Sequence, residues 1–160
     1  MQAPEFWVES WLNSSKPLTI KAMAGKVMVI YAFQMLCPAC VQYSLPQAKR
    51  LQDKFAQSDT VQIMGLHSVF EHHAAQNPAT LQAFAYENKL SFPIAIDTHQ
   101  NSNGELDKIP QTMQRYRLQG TPSLLVIDAQ SQLQIHHFGH LDDLTLGLEL
   151  MSIIKGSGDS

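Results

Sequence analysis

Two cysteines are all this sequence has, Cys37 and Cys40, and they stand one helical turn apart in "LCPAC". Cysteines at that spacing can form a disulfide staple, supply half of a metal site, or act as a reversible dithiol. A bridge closing so short a loop removes little chain entropy, so it is a poor staple. Structural zinc needs four ligands, and the pair gives two. His67 with His72, or His136 with His140, have tolerable mutual spacing. However, Cys40 lies far from His67 for a compact finger, and there is no second cysteine pair. Reversible thiol chemistry is the reading that uses both residues. Cys37 would attack a substrate disulfide, and Cys40 would then attack the mixed disulfide.

That chemistry requires a particular setting. "VMVIYAF", residues 27–33, is an uninterrupted β-favouring apolar run, the pattern of a strand buried on both faces. A helix is expected from Pro38 to about Ser58, with Val41, Leu45, Ala48, Leu51 and Phe55 on its inner stripe and a kink at Pro46. The cysteines therefore fall where a strand hands over to a helix N-terminus. Free N–H groups and the macrodipole at such an end favour a thiolate, so the Cys37 pKa should fall below that of a free cysteine. Pro38 suits the first helical position. Pro38 and Ala39 bring no cation, so only moderate depression is expected, with a reducing or intermediate redox poise.

The remaining elements alternate. A short amphipathic helix is read at Phe6, Trp7, Trp11 and Leu12, with both tryptophans as core anchors. Leu18 to Ile20 reads as an edge strand. "VQIMGLH", residues 61–67, is a second central strand. A helix runs from Asn77-Pro78 to about Asn88, and "FPIAID" is a short strand. A weak helix spans Ile109 to Tyr116. "SLLVID" and "LQIHHF" form a hairpin, and Leu141 to Ile154 is a last helix. This order indicates an α/β sandwich with a mixed sheet.

The stretch "GKVMVIYAFQMLCPACVQYSLPQAKRLQDKF" resembles the redox-site segment of thioredoxin-like proteins. "YRLQGTPSLLVIDAQSQLQIHHFGHLD" is similar to the segment carrying their cis-proline. The two in order mark the chain as similar to thioredoxin-like proteins, and the extra helix and strand in the roughly 50 residues between "VQIMGLH" and the second segment resemble the insertion of TlpA-type or redoxin-type members. The resemblance spans roughly residues 17–154 and implies a three-layer α/β/α thioredoxin-like sandwich. It also implies an N-terminal extension and a helix-strand insertion at about 68–118, while the residues Gly156-Ser157-Gly158-Asp159-Ser160 read by themselves as a flexible tail at about 156–160. By that resemblance Thr121-Pro122 is a cis peptide that faces the cysteines and binds substrate backbone. Leu36, Pro38 and Ala39 support the pair. Leu36 stands where many relatives place tryptophan, Tyr31 where thioredoxin has a buried acid, and Tyr43 where some TlpA-type reductases place glutamate.

The implied function is thiol–disulfide exchange with a protein or small-molecule disulfide, using no dissociable cofactor and no metal. An external donor or acceptor, such as a thioredoxin, glutathione or a reductase, must complete the cycle. A peroxiredoxin-type peroxidase is an alternative, although Gln34 occupies the place of its supporting threonine. A redox-sensing interaction domain is another.

Bulk properties agree with one domain. A chain of 160 residues, 44% hydrophobic, can bury a sizeable core. A net charge of −3 without a basic run argues against nucleic acid. No apolar run approaches the ~18 residues of a membrane span. The N-terminus lacks the pattern of an export signal, so a cytoplasmic location is expected, or a periplasmic one if a signal was removed. A monomer or weak dimer is expected. The seven histidines are read as solvated or locally hydrogen-bonded.

Overall fold

The computed structural model describes residues 1–158. Its centre is β2 (Val27–Phe33), in which every residue is buried. Such a strand needs neighbours on both edges and cover on both faces. β3 (Val61–His67) pairs with it in parallel, and β5 (Ser123–Ile127) pairs with it antiparallel. β4 (Ile94–Asp97) extends the sheet beyond β3, and β6 (Leu133–Phe138) closes the far side. With β1 (Val8–Leu12) at the other edge, the order is β1-β4-β3-β2-β5-β6.

Alternate side chains of β2 feed two cores. Val29, Tyr31 and Phe33 pack with Leu45 and Ala48 of α1 (Leu45–Phe55), Leu81 of α2 (Pro78–Glu87) and Leu146 of α4 (Asp143–Gly158). Met28 and Ile30 pack on the opposite face with Met113 of α3 (Gln111–Arg115), Tyr116 and N-terminal residues. The result is the expected three-layer arrangement.

The N-terminal segment departs from expectation. Residues 8–12 are a strand, not a helix, and pair antiparallel with β4. A register shift between Val8 and Ser10 adds a residue, so the inward positions no longer alternate. Val8, Trp11 and Leu12 end up half-buried, a spacing that imitates a helix. The outer edge of β4 needs a hydrogen-bonding partner, and that need decides the conformation. Leu18 to Ile20 is not a strand either. Glu5 Oε1 accepts the Ile20 N–H at 2.7 Å, and a turn follows.

The active-site helix is also modified. A π-helical turn, Cys40–Ser44, precedes α1, and the Leu45 N–H donates to Cys40 O. The wide turn sits immediately before Pro46, which has no N–H to give. It stands in place of a simple proline kink. At the other end of the chain, α4 reaches Gly158. Ser157 Oγ accepts the Ala129 N–H at 3.2 Å. Asp159 and Ser160 lie outside the described residues.

Candidate active site at the C-terminal edge of the sheet

Parallel strands β2 and β3 end on the same edge of the sheet, where helices begin and ligand sites of α/β folds commonly lie. β2 delivers Gln34, Met35 and Leu36, then Cys37. The Cα atoms of Cys37 and Cys40 are 5.2 Å apart, and the two sulfurs are joined as a disulfide. The sulfurs differ in access: Cys37 is 8% exposed and Cys40 fully buried. An incoming group therefore meets Cys37 first. The Cys40 N–H points at Cys37 Sγ from 3.3 Å, the helix-start donor that favours negative charge on that sulfur. Pro38 and Ala39 form the turn between them.

The Thr121–Pro122 peptide is cis. It leads into β5 opposite the cysteines, and Thr121 O lies 3.6 Å from Cys37 Sγ. Leu36 is exposed, as are Val41 and Tyr43 on the helix. Leu36, Cys37, Pro38, Ala39, Cys40, Thr121 and Pro122 are thus all gathered at one place.

Below them lies a polar bracket. Gln34 is fully buried. Its Nε2 donates to Thr121 Oγ1 at 3.2 Å and to Glu71 Oε1 at 3.4 Å. Its Oε1 accepts the Phe70 N–H at 3.1 Å and Gln76 Nε2 at 3.2 Å. Gln76 Oε1 in turn accepts the Leu36 N–H at 3.2 Å. Two glutamines thus tie the cysteine loop, the cis-proline loop and the loop after β3 to one another. Sequence reasoning noted Gln34 only as the residue in place of a peroxidase threonine and missed its bracing role along with Gln76 and Glu71, because no spacing rule marks a bracket built from three loops.

Tyr31, in the strand beneath the pair, donates its hydroxyl to Gln47 Oε1 at 2.9 Å. Burial pushes its pKa up, and the nearby Asp143 carboxylate adds to the effect. It therefore stays neutral and offers no base in the ordinary pH range. Tyr43 stacks on His140 with ring centroids 5.4 Å apart. Trp7 lies under Arg115, 4.8 Å from the guanidinium carbon, and Trp11 meets Phe6 edge-on, so both tryptophans anchor the N-terminal segment. Several histidines bond to backbone carbonyl oxygens: His99 at Val69, His73 at Lys108 and His136 at Tyr116. Among the described residues no group of three His, Cys, Asp or Glu could hold a metal ion.

The family model of the AhpC/TSA family matches residues 1–136. The chain belongs to the AhpC/TSA family. Within this redoxin family it is similar to the thioredoxin-like superfamily protein SPOA0173, at 43% identity over 96% of each chain, with a TM-score of 0.89. It is also similar to a thiol-disulfide isomerase from Corynebacterium glutamicum, at 39% identity over 95% of each chain and a TM-score of 0.86. StoA from Bacillus subtilis, at 24% identity over 76% of this chain and 80% of that one with a TM-score of 0.57, shares the fold. No curated protein matches. This redoxin thus joins a thioredoxin-like fold to a Cys-x-x-Cys disulfide. Among its described residues no helix is long and apolar enough to cross a membrane.

Proposed function

We propose that this redoxin is a thiol–disulfide oxidoreductase that works through Cys37 and Cys40. The observation that carries the reading is the unequal access of the two sulfurs beside the cis Thr121–Pro122 peptide. In the reduced enzyme, the Cys37 thiolate attacks one sulfur of a substrate disulfide and expels the other as a thiolate. Cys40 then loses its proton and displaces the second substrate sulfur. The substrate gains two electrons and two protons, and the Cys37–Cys40 disulfide re-forms. The dithiol is the electron carrier, so no dissociable cofactor enters. An external thiol donor returns the pair to the reduced state, and run in reverse the same steps oxidise a substrate.

Thr121 and Pro122 present backbone to the substrate chain. Exposed Leu36 and Val41 flank Cys37 and suit an apolar stretch of polypeptide. Pro38 and Ala39 hold the turn without adding charge. The reading further takes the protein as cytoplasmic, or periplasmic if an export signal is removed, and as a monomer or weak dimer. Insulin reduction driven by dithiothreitol tests the function. Native protein should accelerate it, and Cys37→Ser should not. Equal rates for the two would refute the reading. A peroxide-consumption assay with a recycling thiol separates it from a peroxidase.

A further inference from the structure

A cleft of about 780 Å³ opens at the C-terminal ends of β3 and β4, and Gln76 and Glu71 in its wall join it to the loops around the dithiol. Its volume is within the range of clefts that take ligands. It shares walls with the active site. Gln76, which holds the Leu36 N–H, lines it, and so does Glu71, which is bonded to Gln34 and through it to Thr121. Val69, Phe70, Ile96 and Leu106 supply apolar surface. Among the described residues Glu9, Glu71, Asp97 and Asp107 line it against a single Lys or Arg, Lys108, so its electrostatic sense is acidic.

Among the described residues one group in the wall lacks a partner. His67, the last residue of β3, is 2% exposed and lines the cleft, and its Nε2 has no hydrogen bond there. Gln76 is nearby, but both of its Nε2 hydrogens go to Gln34 Oε1 and Glu71 O, so it has no donor left for this nitrogen. A buried polar atom left unpaired costs free energy unless something binds it. Asp97, by contrast, is saturated by Ser68 Oγ and the Thr112 and Met113 N–H groups, so it serves α3 and not a ligand. The cleft therefore combines an apolar wall, exposed carboxylates at Glu9 and Glu71, and one unsatisfied imidazole nitrogen.

We propose that this cleft is the specificity pocket of the dithiol, receiving a lysine or arginine side chain that neighbours the half-cystine of a polypeptide disulfide. The aliphatic stem lies along Val69, Phe70 and Leu106. The cationic head is drawn to Glu9 and Glu71, and an N–H of the bound segment pairs with His67 Nε2. Anionic disulfides are disfavoured by the same carboxylates. The proposal rests on the oxidoreductase reading above and names the substrate class for it.

The test uses two homodimeric peptide disulfides that differ only in Lys or Glu beside the cysteine, with hydroxyethyl disulfide as an uncharged reference. The pre-reduced protein is mixed with each, and the rate of attack is followed. The Lys peptide is expected to react about tenfold faster than the Glu peptide at low salt, with the ratio shrinking as salt is added. Combining Glu9→Gln with Glu71→Gln should remove most of that ratio, and His67→Phe should lower it. A ratio of two rates on one protein sample is insensitive to partial loss of folded material. Equal rates on both peptides, or a preference that survives the double substitution, would overturn the proposal while the dithiol reading stands. Failure to reduce hydroxyethyl disulfide as well would overturn both.

Discussion

Gln34 Nε2 donates to Thr121 Oγ1 at 3.2 Å, joining residues 87 positions apart across the active site. The contact fixes the cis-proline loop relative to the strand end that carries Cys37. Because Gln34 is fully buried and engages four partners in all, it acts as the keystone of the loops around the dithiol.

Gln34→Ala is expected to leave the Phe70 N–H and Gln76 Nε2 short of an acceptor. The cost should be roughly 1–3 kcal/mol in a urea denaturation. Insulin reduction should slow further than loss of folded protein explains, since both loops lose their common anchor. Unchanged stability and rate would remove Gln34 from this positioning role.

The unequal access of the two sulfurs predicts a trap. Cys40→Ser should accumulate a covalent mixed disulfide between Cys37 and a peptide substrate, visible by non-reducing mass spectrometry. Cys37→Ser should form none, since Cys40 is buried. Adduct formation in Cys37→Ser comparable to that in Cys40→Ser would reverse the assigned order of attack.

His67 predicts a pH dependence of stability. Burial keeps its imidazole neutral and pulls its pKa down to about 4, whereas an unfolded histidine titrates near about 6.5. As pH falls, the unfolded chain takes up this proton first. Its contribution is full above about pH 6.5 and is lost as pH falls through about 4, by roughly 3 kcal/mol. Burial raises the Asp97 carboxyl pKa, a trend of opposite sign that native and variant share. Urea denaturation between about pH 7 and about pH 4 should therefore give a flatter profile for His67→Phe than for native protein. Parallel profiles would show that His67 is not the group responsible.

Gly65 lies where the two central strands back the active-site loops. A Cβ there would stand 3.0 Å from Phe33 Cε1, 3.2 Å from Phe92 Cε1 and 3.3 Å from Ile94 Cγ1. Both rings are fully buried and have little room to move. Gly65→Ala should cost about 1–3 kcal/mol by overpacking, measured as a lower denaturation midpoint. A neutral result would mean that the core can repack at this point.

The Pro38-Ala39 turn carries no charge, and Tyr31 is neutral. Equilibration in glutathione buffers should therefore place the reduction potential well below the strongly oxidising value of about −120 mV. A potential near that value would require a source of thiolate stabilisation beyond the helix start.

Much of the molecule was legible in the chain alone because its signals are local. Seven consecutive apolar residues at 27–33 can only be buried, and Asn77-Pro78 announces a helix start, realised as a capping box with Thr80. Cys37 and Cys40 needed only a turn of helix to meet. Resemblance, not periodicity, pointed to the cis Thr121–Pro122 bond. Where prediction went astray, distant partners had prevailed over local pattern. Val8–Leu12 has the spacing of a helix but becomes a strand, since β4 offers an open edge and a bulge absorbs the mismatch. Pro46 was expected to kink a helix, and the chain placed a π turn before it.

The sequence by itself determined the strand-to-helix join, the cysteine pair and hence the chemistry available, because all three arise from residues within a turn or two of each other. Only the tertiary structure decided which sulfur faces outward, which glutamines brace the loops, and that an acidic cleft with an unpaired His67 nitrogen adjoins the loops around the dithiol. Those features depend on residues from separate strands and loops coming within hydrogen-bonding distance. The free energy that selects the glutamine bracket comes from burying polar atoms with partners, a constraint that no stretch of the chain carries on its own.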